Sequence, residues 1–222
     1  MINVLLNVYE FDAPWAEQPL KTVLKPGMKA CILTMSHGKE IPDCETWEKA
    51  YLPGGFIYPA LVCPFAAYGI EEKDIAWVSI FHDTSETAAE KVRNADVLFL
   101  TGGLPDVFLE RMEQLELVPL LKSYSGVVMG ASAGAMVQFR EYHITPDEDY
   151  DTYGYYAGLG LVDGFELEVH YAETPVQQES MNRYLRERGG TIYPMYNDGG
   201  ILIRDGAMTL MGHVAEKLEA KV

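Results

Sequence analysis

Gly126-Val127-Val128-Met129-Gly130-Ala131-Ser132-Ala133-Gly134-Ala135-Met136-Val137-Gln138-Phe139 joins an apolar run to a helix-like run through five small residues. Strand, sharp turn and helix is the context of a G-x-S-x-G nucleophile elbow. A serine on a strained turn has its hydroxyl lifted clear of the backbone. Bulky neighbours would clash there, so glycines flank it. The following helix aims its N-terminal amides at the same spot, where an oxyanion would form. With 20 glycines in 222 residues, composition alone yields only about 0.06 such matches, so the pattern carries information. The plainer alternative is an ordinary tight turn in which Ser132 serves as a helix N-cap.

Outward from this stretch, short apolar runs alternate with helix-like runs. Residues 3–8, 29–35, 76–80, 96–101 and 126–130 read as strands buried on both faces. Residues 45–51, 85–94, 105–113 and 117–124 carry helical patterns. Alternation of this kind predicts an α/β fold, with a mostly parallel sheet sandwiched between helices. Such sheets bind ligands beyond the carboxyl ends of their strands. Ser132 lies there, and so does Gly102-Gly103 after Leu100-Thr101. Further on, residues 165–170 read as extended and 174–188 as helical. Residues 191–196, 200–203 and 208–211 read as short strands, with Asn197-Asp198-Gly199 and Asp205-Gly206 as turns. The polar, tyrosine-rich residues 141–158 read as a long surface loop. Residues 1–222 are expected to form one domain.

A formal net charge of −16 argues against nucleic acid and anionic membrane surfaces as partners. The first residues lack a basic leader pattern and read as a strand, and no apolar stretch approaches the ~20 residues of a membrane span. The three cysteines, Cys31, Cys44 and Cys63, form no C-x-x-C, so neither a disulfide framework nor a zinc site is expected. A reducing cytoplasmic setting fits this usage.

A serine hydroxyl needs a base within reach and a group to orient that base. Among five histidines, His37 and His82 follow predicted strands, His143 lies in the polar loop and His213 near the C-terminus. His170 ends an extended run and precedes a helix, which favours it slightly. For the acid, Asp198 sits in a predicted turn, and Asp147, Asp149 and Asp151 are its rivals. Those three begin like a calcium loop. Thr152 then stands where glycine is required and Gly158 where a bidentate glutamate belongs, so a calcium loop is rejected.

The run Gly130-Ala131-Ser132-Ala133-Gly134-Ala135 resembles the elbow of peptidase E, the aspartyl dipeptidases grouped with cyanophycinases in peptidase family S51. These share the class I glutamine amidotransferase-like fold, a flavodoxin-like three-layer αβα sandwich. Phe99-Leu100-Thr101-Gly102-Gly103 resembles the family's strand and double glycine, which implies an oxyanion hole from the amides of Gly103 and Ala133. His170 falls at the family's catalytic histidine. Asp198 falls where the family carries an acid before glycine, which implies a Ser132, His170, Asp198 triad with no metal or cofactor. Two departures bear on substrate binding. Leu104-Pro105-Asp106 replaces the family's asparagine after the double glycine, which leaves Asp106 as the substrate-side residue. Met181 stands where the aspartyl dipeptidases carry the arginine that pairs with an acidic side chain.

The expected activity is serine-type hydrolysis of a small peptide or amide, with aspartate specificity lost. The sequence leaves the oligomeric state open, with a homodimer paired through surface strands near the C-terminus as the candidate assembly. An α/β-hydrolase-type esterase would need an acid before the histidine in the chain. A glutamine amidotransferase would need cysteine at the elbow. A non-catalytic small-ligand binder on the same fold is the rival from a different class.

Overall fold

In chain order the elements are β1 (Ile2–Leu6), α1 (Pro14–Leu20), β2 (Ala30–Leu33), α2 (Cys44–Tyr51), α3 (Tyr58–Ala66), β3 (Ile75–Val78), α4 (Ser85–Arg93), β4 (Val97–Leu100), α5 (Pro105–Gln114), α6 (Val118–Lys122), β5 (Val127–Ala131) and α7 (Ala133–Met136). They continue with β6 (Glu141–Ile144), β7 (Gly154–Ala157), β8 (Glu166–Glu168), α8 (Pro175–Glu187), β9 (Thr191–Arg204), β10 (Ala207–Val214) and β11 (Leu218–Glu219). This computed structural model describes residues 1–220. The main sheet runs β10-β9-β1-β5-β4-β2-β3, with β8 and β11 also paired to β9. From β1 to β3 every pairing is parallel, whereas β9 pairs antiparallel with both β1 and β10.

Side-chain alternation along the central strands divides the core between the two faces. In β4, Leu98 and Leu100 pack with Phe108 and Met112 of α5 and with Ala88 and Val92 of α4. Val97 and Phe99 pack instead with Leu20 of α1, Trp47 of α2 and Phe65 of α3. All four β4 side chains are fully buried, which is why this stretch reads as a continuous apolar run. The helices begin at local signals. The Asp43 carboxylate accepts the Thr46 N–H at 2.8 Å to cap α2. Thr84 and Thr87 cap α4 reciprocally. Thr174 caps α8 ahead of Pro175.

The α/β sandwich expected from the sequence is therefore present, with four local corrections. Residues 141–158 contain the hairpin of β6 and β7. Asn197-Asp198-Gly199 is not a turn but lies within the single strand β9: β10 pairs with β9 at Gly199 and again at Met195, across a register shift that holds Asn197 and Asp198, while β1 pairs with β9 from Gly200 onward. Helices α1 and α3 each contain an internal proline, Pro19 and Pro64, which disguised their helical period. Among the described residues, no helix is long and apolar enough to cross a membrane.

The turn from β5 into α7 is the tightest point of the fold. Leu6 pairs with Ala131 in register, and the Ser132 N–H donates to the Leu6 carbonyl at 2.8 Å. Ser132 then takes φ 51° and ψ −114°, a conformation that L side chains rarely adopt. A Cβ on Gly130 would lie 1.9 Å from the Gly134 oxygen, and one on Gly134 would lie 2.0 Å from the Leu100 oxygen. Neither contact is relieved by side-chain movement. Gly134→Ala is thus expected to destabilise the fold by about 3 kcal/mol or more, measured by denaturant unfolding. A loss under about 1 kcal/mol would show that the elbow is more plastic than this packing implies.

Candidate active site

A cavity of about 460 Å³ opens at the carboxyl end of the sheet, lined in part by Gly103, Ser132, Tyr150, Glu168, His170 and Gln177. Ser132 is half-buried and makes no capping hydrogen bond to α7. That removes the N-cap alternative and leaves the hydroxyl available to the cavity. The backbone N–H groups of Gly103 and Ala133 flank the same region and donate to no acceptor in the described turns and loops. Ala133 is the first residue of α7, where a helix has no internal acceptor to offer. Gly103 holds φ 135° with its Cα against the Ser36 carbonyl. An added Cβ would lie 2.4 Å from that oxygen, so only glycine fits.

His170 also lines this cavity and has a positive φ, 49°. Its Nδ1 is 2.7 Å from the Asn197 side-chain oxygen. An amide oxygen only accepts, so Nδ1 is the nitrogen that carries a proton toward Asn197. Gln177 fixes the loop around this ring. Its amide nitrogen donates to the His170 carbonyl at 3.0 Å, while its oxygen accepts from the Ala172 N–H at 2.9 Å and the Thr174 hydroxyl at 3.2 Å.

Ser132, His170 and Gly103 line one cavity and Ala133 follows Ser132 at the start of α7, whereas three predicted residues lie elsewhere. Asp198 is exposed and faces His213, with Nδ1 to Oδ1 at 3.7 Å. Tyr196 stacks on the same His213 ring at 3.8 Å. Residues 196 and 198 share one face of β9, and the intervening Asn197 points the other way, toward His170. Sequence reasoning missed Asn197 because a turn has no such alternation and a strand does. Met181 is 1% exposed and belongs to the packing under α8. Gln177, one turn earlier, occupies the cavity wall instead. Asp106 reaches the cavity indirectly, as the acceptor of the hydrogen bond from the Tyr150 hydroxyl.

Beneath the cavity lies a charged group that the sequence did not reveal. His143, Glu166 and Glu168 are 2%, 2% and 3% exposed. His143 Nε2 donates to Glu168 at 2.9 Å, and Thr145 donates to the same carboxylate oxygen at 2.9 Å. Glu166 lies 4.0 Å from His143 Nδ1, an ion-pair distance without a hydrogen bond. Burial alone would lower the pKa of His143, but the two carboxylates outweigh it and lift the imidazole to about 9. Burial also pushes the Glu166 carboxyl up, against the pull of His143. Asp147, Asp149 and Glu168 contribute acid to the cavity walls, and among the described residues no lysine or arginine lines them. The remaining histidines lie outside these walls. His37 is buried with both ring nitrogens unpartnered, and burial, helped by Arg111, holds its pKa at about 4.

Two expectations follow from these geometries. Asn197→Ala should release the His170 ring, so that nitrogen NMR shows loss of the Nδ1-protonated tautomer, while Asp198→Ala should leave it in place. The reverse ranking would return the orienting role to Asp198. For His143 the folded pKa exceeds the ordinary value of ~6.5. Its contribution is complete below about pH 6.5 and disappears as pH rises through 9. Unfolding free energy should therefore fall by at least about 1 kcal/mol over that range. His143→Gln should flatten this alkaline limb, and an unaltered limb would contradict the assignment.

Three comparisons bear on the chain as a whole. The model of peptidase family S51 matches residues 66–211. No curated protein is significantly similar in sequence. Among solved structures, the chain is similar to a Listeria monocytogenes EGD-e protein described as a "putative peptidase E protein". That likeness has 19% identity and a TM-score of 0.68, and covers 96% of this chain and 98% of the other. It is also similar to a peptidase from an acI-B1 actinobacterium, at 15% identity and a TM-score of 0.62, covering 99% of this chain and 94% of the other.

Proposed function

From the premise that the chain belongs to peptidase family S51, a family of serine-type peptidase-like hydrolases, we propose that Ser132 and His170 cleave a small peptide or amide by acyl transfer. The observation that carries this is the shared cavity, lined both by an uncapped, strained serine and by a histidine whose Nδ1 is held by Asn197. His170 Nε2 takes the Ser132 proton as Oγ bonds to the substrate carbonyl carbon. The resulting oxyanion accepts hydrogen bonds from the Gly103 and Ala133 amides. The imidazolium returns its proton to the leaving amine as the C–N bond breaks, and water hydrolyses the acyl-serine by the same steps. Asn197 orients the ring. A neutral amide stabilises the imidazolium less than a carboxylate would, and Asp198, which faces His213, takes no part in the step.

The cavity also informs the substrate. A buried or half-buried carboxylate on the substrate would need a cation partner. Asp147, Asp149 and Glu168 offer the opposite charge, and Gln177 stands on the α8 face toward the cavity. Neutral or basic first residues are therefore favoured over N-terminal aspartate. A panel of dipeptide reporters differing only in the first residue tests this. Basic or neutral substrates should give the highest kcat/KM, and Ser132→Ala and His170→Ala should each lower it by ~10³-fold or more. If Asp-Xaa is the best substrate, the charge argument fails. If another histidine variant loses more than His170→Ala, the assignment of the base fails.

A further inference from the structure

Away from the hydrolytic cavity, at the carboxyl ends of β2 and β3, Cys44, Glu48 and His82 point their donor atoms at one another. Cys44 Sγ lies 3.3 Å from His82 Nε2 and 3.7 Å from Glu48 Oε1, and His82 Nε2 lies 3.2 Å from Glu48 Oε1. All three atoms fall within one metal-sized span. Zinc bound to sulfur at about 2.3 Å and to nitrogen and oxygen at about 2.0 Å separates its ligand atoms by roughly 3.3–3.6 Å in a tetrahedron. The observed triangle has nearly those edges before any ion is added. We propose that Cys44, Glu48 and His82 form a zinc site, with water in the fourth position.

The framework behind these donors is fixed. Cys44 and Glu48 are one turn apart on the first turns of α2, which Asp43 caps, so they project from the same face. His82 leans on Trp47 of the same helix with ring centroids 5.0 Å apart. Trp47 is itself anchored by its indole N–H to Thr34 Oγ1 at 2.9 Å. The chain before α4 that carries His82 is tied down by the His82 N–H to the Ser79 carbonyl at 3.2 Å. It is tied again by the Ser79 N–H to Asp83 at 3.1 Å. Little reorganisation is then required for binding.

The donor set selects the ion. One thiolate, one imidazole and one carboxylate suit zinc and exclude magnesium and calcium, which take oxygen ligands. On binding, the Cys44 thiol releases its proton to solvent, and the thiolate and carboxylate together neutralise the two positive charges. Glu48 and His82 are exposed and Cys44 half-buried, so the site has an open approach for the ion and for the water ligand. The spacing search in the sequence missed this site because it pairs a cysteine on α2 with a histidine from a separate loop, without C-x-x-C or H-E-x-x-H.

The test uses the full chain, with zinc measured by competition against a chromophoric chelator and cobalt(II) as the spectroscopic probe. The wild-type chain should bind one zinc ion. Its cobalt form should show intense visible bands of a tetrahedral ion together with a thiolate-to-cobalt charge-transfer band. Cys44→Ser should abolish the charge-transfer band, and both Cys44→Ser and His82→Gln should weaken zinc binding by about 100-fold or more. Cys63→Ser, which removes the exposed cysteine outside the cluster, should change neither. The proposal is overturned by absence of stoichiometric binding, by unchanged affinity in Cys44→Ser or His82→Gln, or by loss of the cobalt spectrum in Cys63→Ser.

Discussion

The hydrogen bond from the Ser132 N–H to the Leu6 carbonyl ties the end of β5 to the end of β1, and the site depends on that tie. It holds the chain at the carboxyl end of the central strands, just where it must reverse into α7. The reversal brings the Gly134 backbone against Leu100 of β4 and against Gly130, with no room for a single Cβ at either glycine. Three parallel strands therefore jointly hold one serine at a positive φ. The strain is local, and the surrounding strands, buried on both faces, over-determine it. The Gly103 amide reaches the same place because β4 ends beside β5, and Ser36 at the end of β2 sets how closely that loop can approach.

The histidine depends on a different constraint, the pairing of β8 with β9 and the register shift in β9 that holds Asn197. His170 is presented by the segment after β8, which runs parallel to the first part of β9. Strand pairing brings this segment close to Asn197, whose side-chain oxygen meets the His170 ring, whereas Asp198 meets His213. Asp198 is left on the face it shares with Tyr196 and His213. Gln177 supplies the remaining rigidity by bonding the loop on both sides of Ala172. A histidine so held needs little rearrangement to act as a base.

These two constraints also explain what was legible in the sequence. The elbow was readable because its chemistry is contiguous, with glycines, serine and helix start inside one short stretch. The central strands were readable because β2, β4 and β5 are buried on both faces and so form unbroken apolar runs. Asn197 was not readable, because Asn-Asp-Gly-Gly looks like a turn until β10 is seen to pair on both sides of Asn197-Asp198, at Met195 and at Gly199. Met181 was misplaced for a related reason. Motif spacing identifies α8, but which turn of the helix meets the cavity depends on how Thr174 and Pro175 start it. The group formed by His143, Glu166 and Glu168 comes from β6 and β8. It was hidden because residues 141–158 are polar enough to read as a loop, although Tyr142 and Ile144 within them are buried.

The central claim is that Ser132 is a nucleophile activated within this cavity, and covalent trapping tests it most directly. The intact chain would be treated with a fluorophosphonate and the adduct mapped by peptide mass spectrometry. The account predicts a single stoichiometric adduct on Ser132, which is absent in Ser132→Ala and strongly slowed in His170→Ala. An unlabelled chain, or an adduct on another residue that persists in Ser132→Ala, would contradict it.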